Sequence, residues 1–171
     1  MKTFISMLVV GMISFLSFAQ ESHNQTSMVE LEDVVVLAVN TSYLATVQDE
    51  NTPKEVTLLQ RDAANFDIRS NPDFSEDVTT DTFEMVFRNS KGSIDTFYNK
   101  HGKIEASYER FRNILLPRAI QRQLYQSHQG WTMTGNLYAS AYENDDLIDR
   151  SYKIQLEKGD DKKSVVIHVK R

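Results

Sequence analysis

The 171 residues contain no cysteine, which excludes a disulfide framework, a lipidated N-terminal cysteine and any thiolate chemistry. Histidine is scarce too. His23, His101, His128 and His168 form no i, i+4 pair of the kind that holds zinc on a helix, and neither a metal nor a cofactor is expected. Phosphate-cradling and nucleophile-elbow motifs are missing: Gly102-Lys103 runs into Ile104 with no glycine five residues upstream, and no G-x-S-x-G occurs. The stretch Glu143-Asn144-Asp145-Asp146 with Asp149 lacks the glycine and terminal glutamate of a calcium-binding EF-hand and reads as a solvated loop. With 24 Asp and Glu against 19 Lys and Arg, the formal net charge is -5, so nucleic acid is not an expected partner.

A long apolar run occurs only at the start. Residues 4–18 are apolar apart from small Ser and Gly, follow Lys2, and lead into Ser17-Phe18-Ala19, a small-x-small cleavage pattern. The run is shorter than the ~20 residues a spanning helix needs, and polar Gln20, Glu21 and Ser22 follow it. A signal peptide over residues 1–19, cleaved after Ala19, is therefore expected, with export to the periplasm or the medium and no stable membrane anchor. Residues 20–29 read as a mobile leader and residues 30–171 as a single domain.

Within that domain the few glycines and prolines stand at boundaries. Residues 33–39 and 43–47 flank the turn-forming Asn40-Thr41-Ser42 and predict a hairpin or bent edge strand. Thr52-Pro53-Lys54-Glu55 has the pattern of a capping box. It predicts a helix with Val56, Leu59, Ala63 and Phe66 inward and Lys54, Gln60 and Arg61 outward. Residues 70–80 read as a loop. From Thr82 the period becomes two, with Phe83, Met85 and Phe87, then Ile94, Thr96 and Tyr98, then Ile104, Ala106 and Tyr108 on one side of a three-stranded meander. Leu116-Pro117 opens a second helix, with Ile120 and Leu124 inward, that ends at Gly130. Residues 131–142 alternate again, then come a polar loop at 143–149, Tyr152-Ile154-Leu156, a glycine turn at 158–160 and Val165-Ile167-Val169. The expected fold is α+β: an antiparallel sheet with two helices packed on one face. It is built from two tandem helix-plus-three-strand units at about residues 50–110 and 116–171.

Parity then selects candidate contact residues. If Trp131, Met133, Leu137 and Ala139 face the helices, Tyr138 and Tyr142 face outward, as does Phe97 between Asp95 and Asn99. Phe97, Tyr138 and Tyr142 are therefore the expected contact surface, because an exposed ring buries much area at little entropic cost. A bulge at Gly135 would reverse the assignment for the two tyrosines. Trp131, directly after Gly130, is expected in the core. No pair among the 24 acids stands out as catalytic.

The segment Leu116-Pro117 through Gln129-Gly130-Trp131, followed by Ser151-Tyr152-Lys153-Ile154-Gln155-Leu156 and a glycine hairpin, resembles the PepSY-like repeat of small exported bacterial proteins. The fold of that group resembles the β-lactamase inhibitory protein. Tyr98-Asn99-Lys100-His101-Gly102-Lys103-Ile104 is similar to the hairpin that precedes the repeat's helix, and the likeness covers about residues 81–171. Leu31-Glu32-Asp33-Val34-Val35-Val36 with Asn40, Tyr43-Leu44 and Val47-Gln48-Asp49 resembles a narrower Bacteroidetes-type subgroup. The resemblance implies an exported, non-catalytic module that binds or inhibits a protein or peptide through an open sheet face. A small exported hydrolase with an unrecognised acid pair and a structural accessory of the cell envelope are the alternatives. Some look-alikes carry a nicotinate-nucleotide adenylyltransferase label. That chemistry needs an H-x-G-H motif, and here His101-Gly102 is followed by Lys103-Ile104 with no second histidine.

Overall fold

A computed structural model describes residues 40–72, 74 and 82–169 of the chain. The expected signal peptide, the leader, the strand at 33–39 and most of the loop at 70–80 lie outside the described residues. Six strands form one antiparallel sheet in chain order: β1 (Thr82–Arg88), β2 (Gly92–Asn99), β3 (Ile104–Arg112), β4 (Thr132–Glu143), β5 (Asp146–Lys158) and β6 (Asp161–His168). The two expected meanders thus join through the pairing of β3 with β4.

Local chemistry explains the hairpins. Asn89 Oδ1 accepts hydrogen bonds from the backbone N–H of Lys91 and Gly92 at 2.8 and 3.0 Å, and Asn99 Oδ1 does the same for His101 and Lys103 at 3.0 and 3.1 Å. Between β4 and β5 the turn is tighter than the expected loop at 143–149. Glu143 pairs with Asp146, and Asn144 and Asp145 take φ of 51° and 66°, the two left-handed positions of a two-residue hairpin.

Helices α2 (Lys54–Asn65) and α3 (Arg118–Ser127) occupy the expected places. The expected capping box is absent. Thr52 Oγ1 instead accepts the N–H of Asp49 at 2.9 Å inside the preceding turn, and Pro53 is the helix-cap residue with no side-chain cap bond. Gln60, expected outside, is buried beside Val56, Leu59, Ala63 and Ala64. Residues 43–47 are not a strand. They belong to a third helix, α1 (Thr41–Val47), in which Tyr43 and Val47 at i, i+4 share one buried face. Asn40 anchors its start: its side chain donates to Ala64 O and Gly102 O and accepts the N–H of Ile104 at 2.8 Å.

All three helices pack on one sheet face. Val56 and Leu59 of α2 and Ile120 and Leu124 of α3 cluster with Ile94, Phe111, Tyr138, Tyr152, Ile154 and Leu156. A second cluster joins Tyr43 and Val47 of α1 to Ala63, Ile68, Tyr98, Ile104 and Tyr142. β1, β2, β5 and β6 present the expected residues to this core, whereas β3 and β4 do not. In β3 the register slips between Phe97 and Tyr98, which pair with Ala106 and Ile104, so Glu105 is an extra residue. Beyond it Ser107, Glu109 and Phe111 point inward, and Ala106 and Tyr108 outward.

Gly92 begins β2 where its backbone presses on β3. A Cβ there would meet Arg110 O at 2.1 Å and Phe111 Cα at 2.7 Å. Gly92→Ala is therefore expected to force the strands apart and destabilise the fold by about 1–3 kcal/mol, read as a lowered urea midpoint. An unchanged midpoint would rule out the close approach.

Candidate functional site

The register lays the outer sheet face out in rows. One row runs Glu84, Phe97, Ala106, Glu143 and the next Val86, Asp95, Tyr108, Ala141, Asp149. The following rows run Arg88, Ser93, Arg110, Ala139, Ser151, His168 and then Arg112, Leu137, Lys153, Val166. Acids thus gather at one end of the strands and bases at the other, with Ala106, Ala139 and Ala141 forming a low floor between them. Phe97 and Tyr108 stand above that floor as an edge-to-face pair, with ring centroids 5.9 Å apart. Tyr108 is 43% exposed, and its hydroxyl donates to Glu143 Oε1 at 2.5 Å. This bond to the carboxylate raises the phenol pKa above its ordinary value. A cleft of about 320 Å³ opens beside the pair, lined by Thr82, Phe97, Ala106, Tyr108 and Glu143 among others.

Of the three expected contact residues, only Phe97 faces outward. Tyr138 and Tyr142 are 0% and 1% exposed and belong to the core. The correction has a local cause. Met133 pairs with Leu156 and Gly135 with Gln155, so Thr134 is an extra residue, and every side chain after it changes face. Trp131 and Met133, before the bulge, pack against the helix-side core as expected. Leu137 and Ala139, after it, face outward instead. Gly135 inside an alternating run is the sequence signal for this bulge. Tyr108, hidden by the slip in β3, carried no such signal.

Beneath the sheet lies a polar core. Glu109 is 3% exposed; Gln60 Nε2 donates to its Oε1 at 2.7 Å, and the Tyr138 hydroxyl donates to its Oε2 at 3.0 Å. Tyr43 reaches Oε1 at 3.5 Å and itself accepts from Ser107 Oγ at 3.3 Å. Burial pushes the Glu109 carboxyl above its ordinary range, opposed by the hydrogen bonds from Gln60 and Tyr138 and by the charge of Arg150. Arg150, 2% exposed, donates to Asp49 Oδ2 at 2.7 Å and to the carbonyl of Val47. These groups clamp α1 and α2 to β3, β4 and β5. Glu109 is the one buried acid among the described residues, so it has no buried acidic partner for paired carboxylate chemistry.

Nor do the other polar residues converge. Among the described residues no three His, Asp or Glu side chains are placed to hold a metal. His101 lies in a turn, His128 Nδ1 is 3.2 Å from Leu124 O at the end of α3, and His168 is 3.1 Å from Asp149 at the surface. Asp145 is held by Lys103 at 2.7 Å and by the Tyr142 hydroxyl at 3.0 Å. Among the described residues no helix is long and apolar enough to cross a membrane. No family model matches the chain, and no curated protein or solved structure matches it significantly.

Two outcomes test the polar core. Above pH 4.5, the ordinary value for this carboxyl, the unfolded chain releases the Glu109 proton before the native state does. Native stability then falls as pH rises, until the native carboxyl ionises as well. Glu109→Gln lacks this loss, so its melting temperature relative to wild type should climb with pH through that window; a pH-independent gap would refute the raised pKa. Tyr138→Ala should cost about 3–5 kcal/mol in chemical denaturation, as for other large buried rings, and a near-neutral result would show that the ring is not core.

Proposed function

We propose that the chain is an exported, non-catalytic module that recognises a protein or peptide through the outer face of its sheet. Inhibition of an exported enzyme is the particular form suggested by the PepSY-like resemblance. The observation that carries this reading is the half-exposed Phe97–Tyr108 pair beside the alanine floor, on a face that no described element covers. An upright aromatic pair next to small side chains offers a partner both an anchor and a recess, and such anchors often account for ~2 kcal/mol or more of binding. Phe97 stays in the contact set from the sequence reading, and Tyr108 with Val86 takes the place of Tyr138 and Tyr142. The order α2, β1–β3, α3, β4–β6 supports the tandem-unit reading of the fold, in which each unit adds three strands to one continuous recognition surface.

The test is capture from cell-envelope extracts on the immobilised chain beginning at Gln20. One protein should be retained stoichiometrically by wild type and by Leu58→Ser, a change at an exposed position of α2. Phe97→Ala and Tyr108→Ala should lose it, with melting temperatures near wild type. Capture that survives both ring truncations would reject the outer face as the recognition surface.

A further inference from the structure

We infer that the cleft beside the β4 bulge is a carboxylate-docking site that receives an acidic segment of the partner, an inference that rests on the outer-face reading above. The cleft holds about 320 Å³ and is lined by Arg112, Asn113, Gly135, Leu137, Lys153 and Gln155, among others. Its floor depends on Gly135. A Cβ there would lie 3.1 Å from Gln155 Oε1 and 3.3 Å from Asn113 Oδ1, so a larger residue would enter the space between these two amides. Asn113 holds its place with φ of 50°, its backbone N–H bonded to Asn136 O at 2.9 Å.

The charges point the same way. Arg88, Arg110, Arg112 and Lys153 share this end of the outer face, and none takes part in the ion pairs formed among the described residues. Spread over β1, β3 and β5 at one end of the face, these four cations have no ion pair among the described residues and repel one another across the intervening strands, although the chain as a whole carries a net charge of -5. An anion in the cleft relieves that repulsion: Arg112 offers a planar fork that matches a carboxylate, Lys153 a compact charge, and Gln155 a neutral amide donor. A long polyphosphate is the poorer occupant. The acidic end of the same face, with Glu84, Asp95, Glu143 and Asp149, would repel its continuation, whereas a short acidic peptide segment needs only the basic end.

The experiment measures fluorescence anisotropy of labelled hexaglutamate with the chain from Gln20. Unlabelled hexaglutamate, hexalysine, inorganic phosphate and a short single-stranded oligonucleotide serve as competitors. Hexaglutamate should bind at low salt and weaken as salt is raised. Binding should fall about tenfold or more in Arg112→Glu and in Lys153→Glu, stay unchanged in Arg122→Glu on the exposed face of α3, and be displaced only by unlabelled hexaglutamate. Absence of binding, or binding indifferent to Arg112 and Lys153, overturns the site. Displacement by phosphate at equal concentration reduces it to a simple-anion site, and tighter binding of the oligonucleotide assigns it to nucleic acid; either result overturns the proposal. The assay uses neither the captured protein nor the aromatic pair. Its failure therefore leaves the dependence of capture on Phe97 and Tyr108 standing, whereas loss of that dependence defeats the outer-face reading, and with it the partner as the source of the acidic segment, while hexaglutamate binding at Arg112 and Lys153 would still be measured.

Discussion

A carboxylate removed from water has to be compensated where it lies, and Glu109 shows how this fold does so. Donors arrive from four separate elements: Gln60 from α2, Tyr43 from α1, Tyr138 from β4 and, through its charge, Arg150 from β5. Breaking any one leaves a buried polar group short of a partner, which costs about 1–3 kcal/mol. The network therefore fixes where the helices sit on the sheet as firmly as the apolar contacts do. Arg150 extends it to Asp49 and Val47, so the turn between α1 and α2 is held by the same charges.

One consequence is a division of labour between the two sheet faces. The helix side of the sheet carries the buried Tyr98, Tyr138, Tyr142 and Tyr152, whose hydroxyls have partners within the fold: Tyr98, for example, donates to Ala63 O at 2.7 Å and Tyr152 to Asn51 O at 3.2 Å. Among the described residues the outer side carries alanines, charged residues, Val86, Leu137 and Val166, and one aromatic pair. The described elements cover the sheet on one face and leave the other open to solvent or to a partner, and the small side chains along β4 keep this face low.

The bulges in β3 and β4 set which residues reach that face. Each inserts one residue, and each reverses the parity of the strand beyond it. Because the two strands are neighbours, Glu109 and Tyr138 turn inward together and meet, while Tyr108 turns outward beside Phe97. The polar core and the outer aromatic pair are thus two results of the same pair of insertions.

Much of the architecture was legible in the residues. Strand period, asparagine and glycine turns and the stripes of α2 and α3 are local properties, and the structure follows them in β1, β2, β5, β6 and both longer helices. Residues 43–47 read as strand because they form a short apolar stretch after the turn-forming Asn40-Thr41-Ser42; they became helix because Asn40, bonded to Ala64, Gly102 and Ile104, holds the start of α1 against distant segments. Gln60 looked like surface, and its burial follows from Glu109, which lies 49 residues further along the chain. The contact surface depended on parity beyond the bulges, and parity there is decided by which residue of the partner strand supplies each hydrogen bond. Local sequence chemistry determined the six strands and the two longer helices of this protein, while distant contacts decided α1, and long-range register with the need to satisfy a buried charge decided which side chains meet inside and which are left facing out.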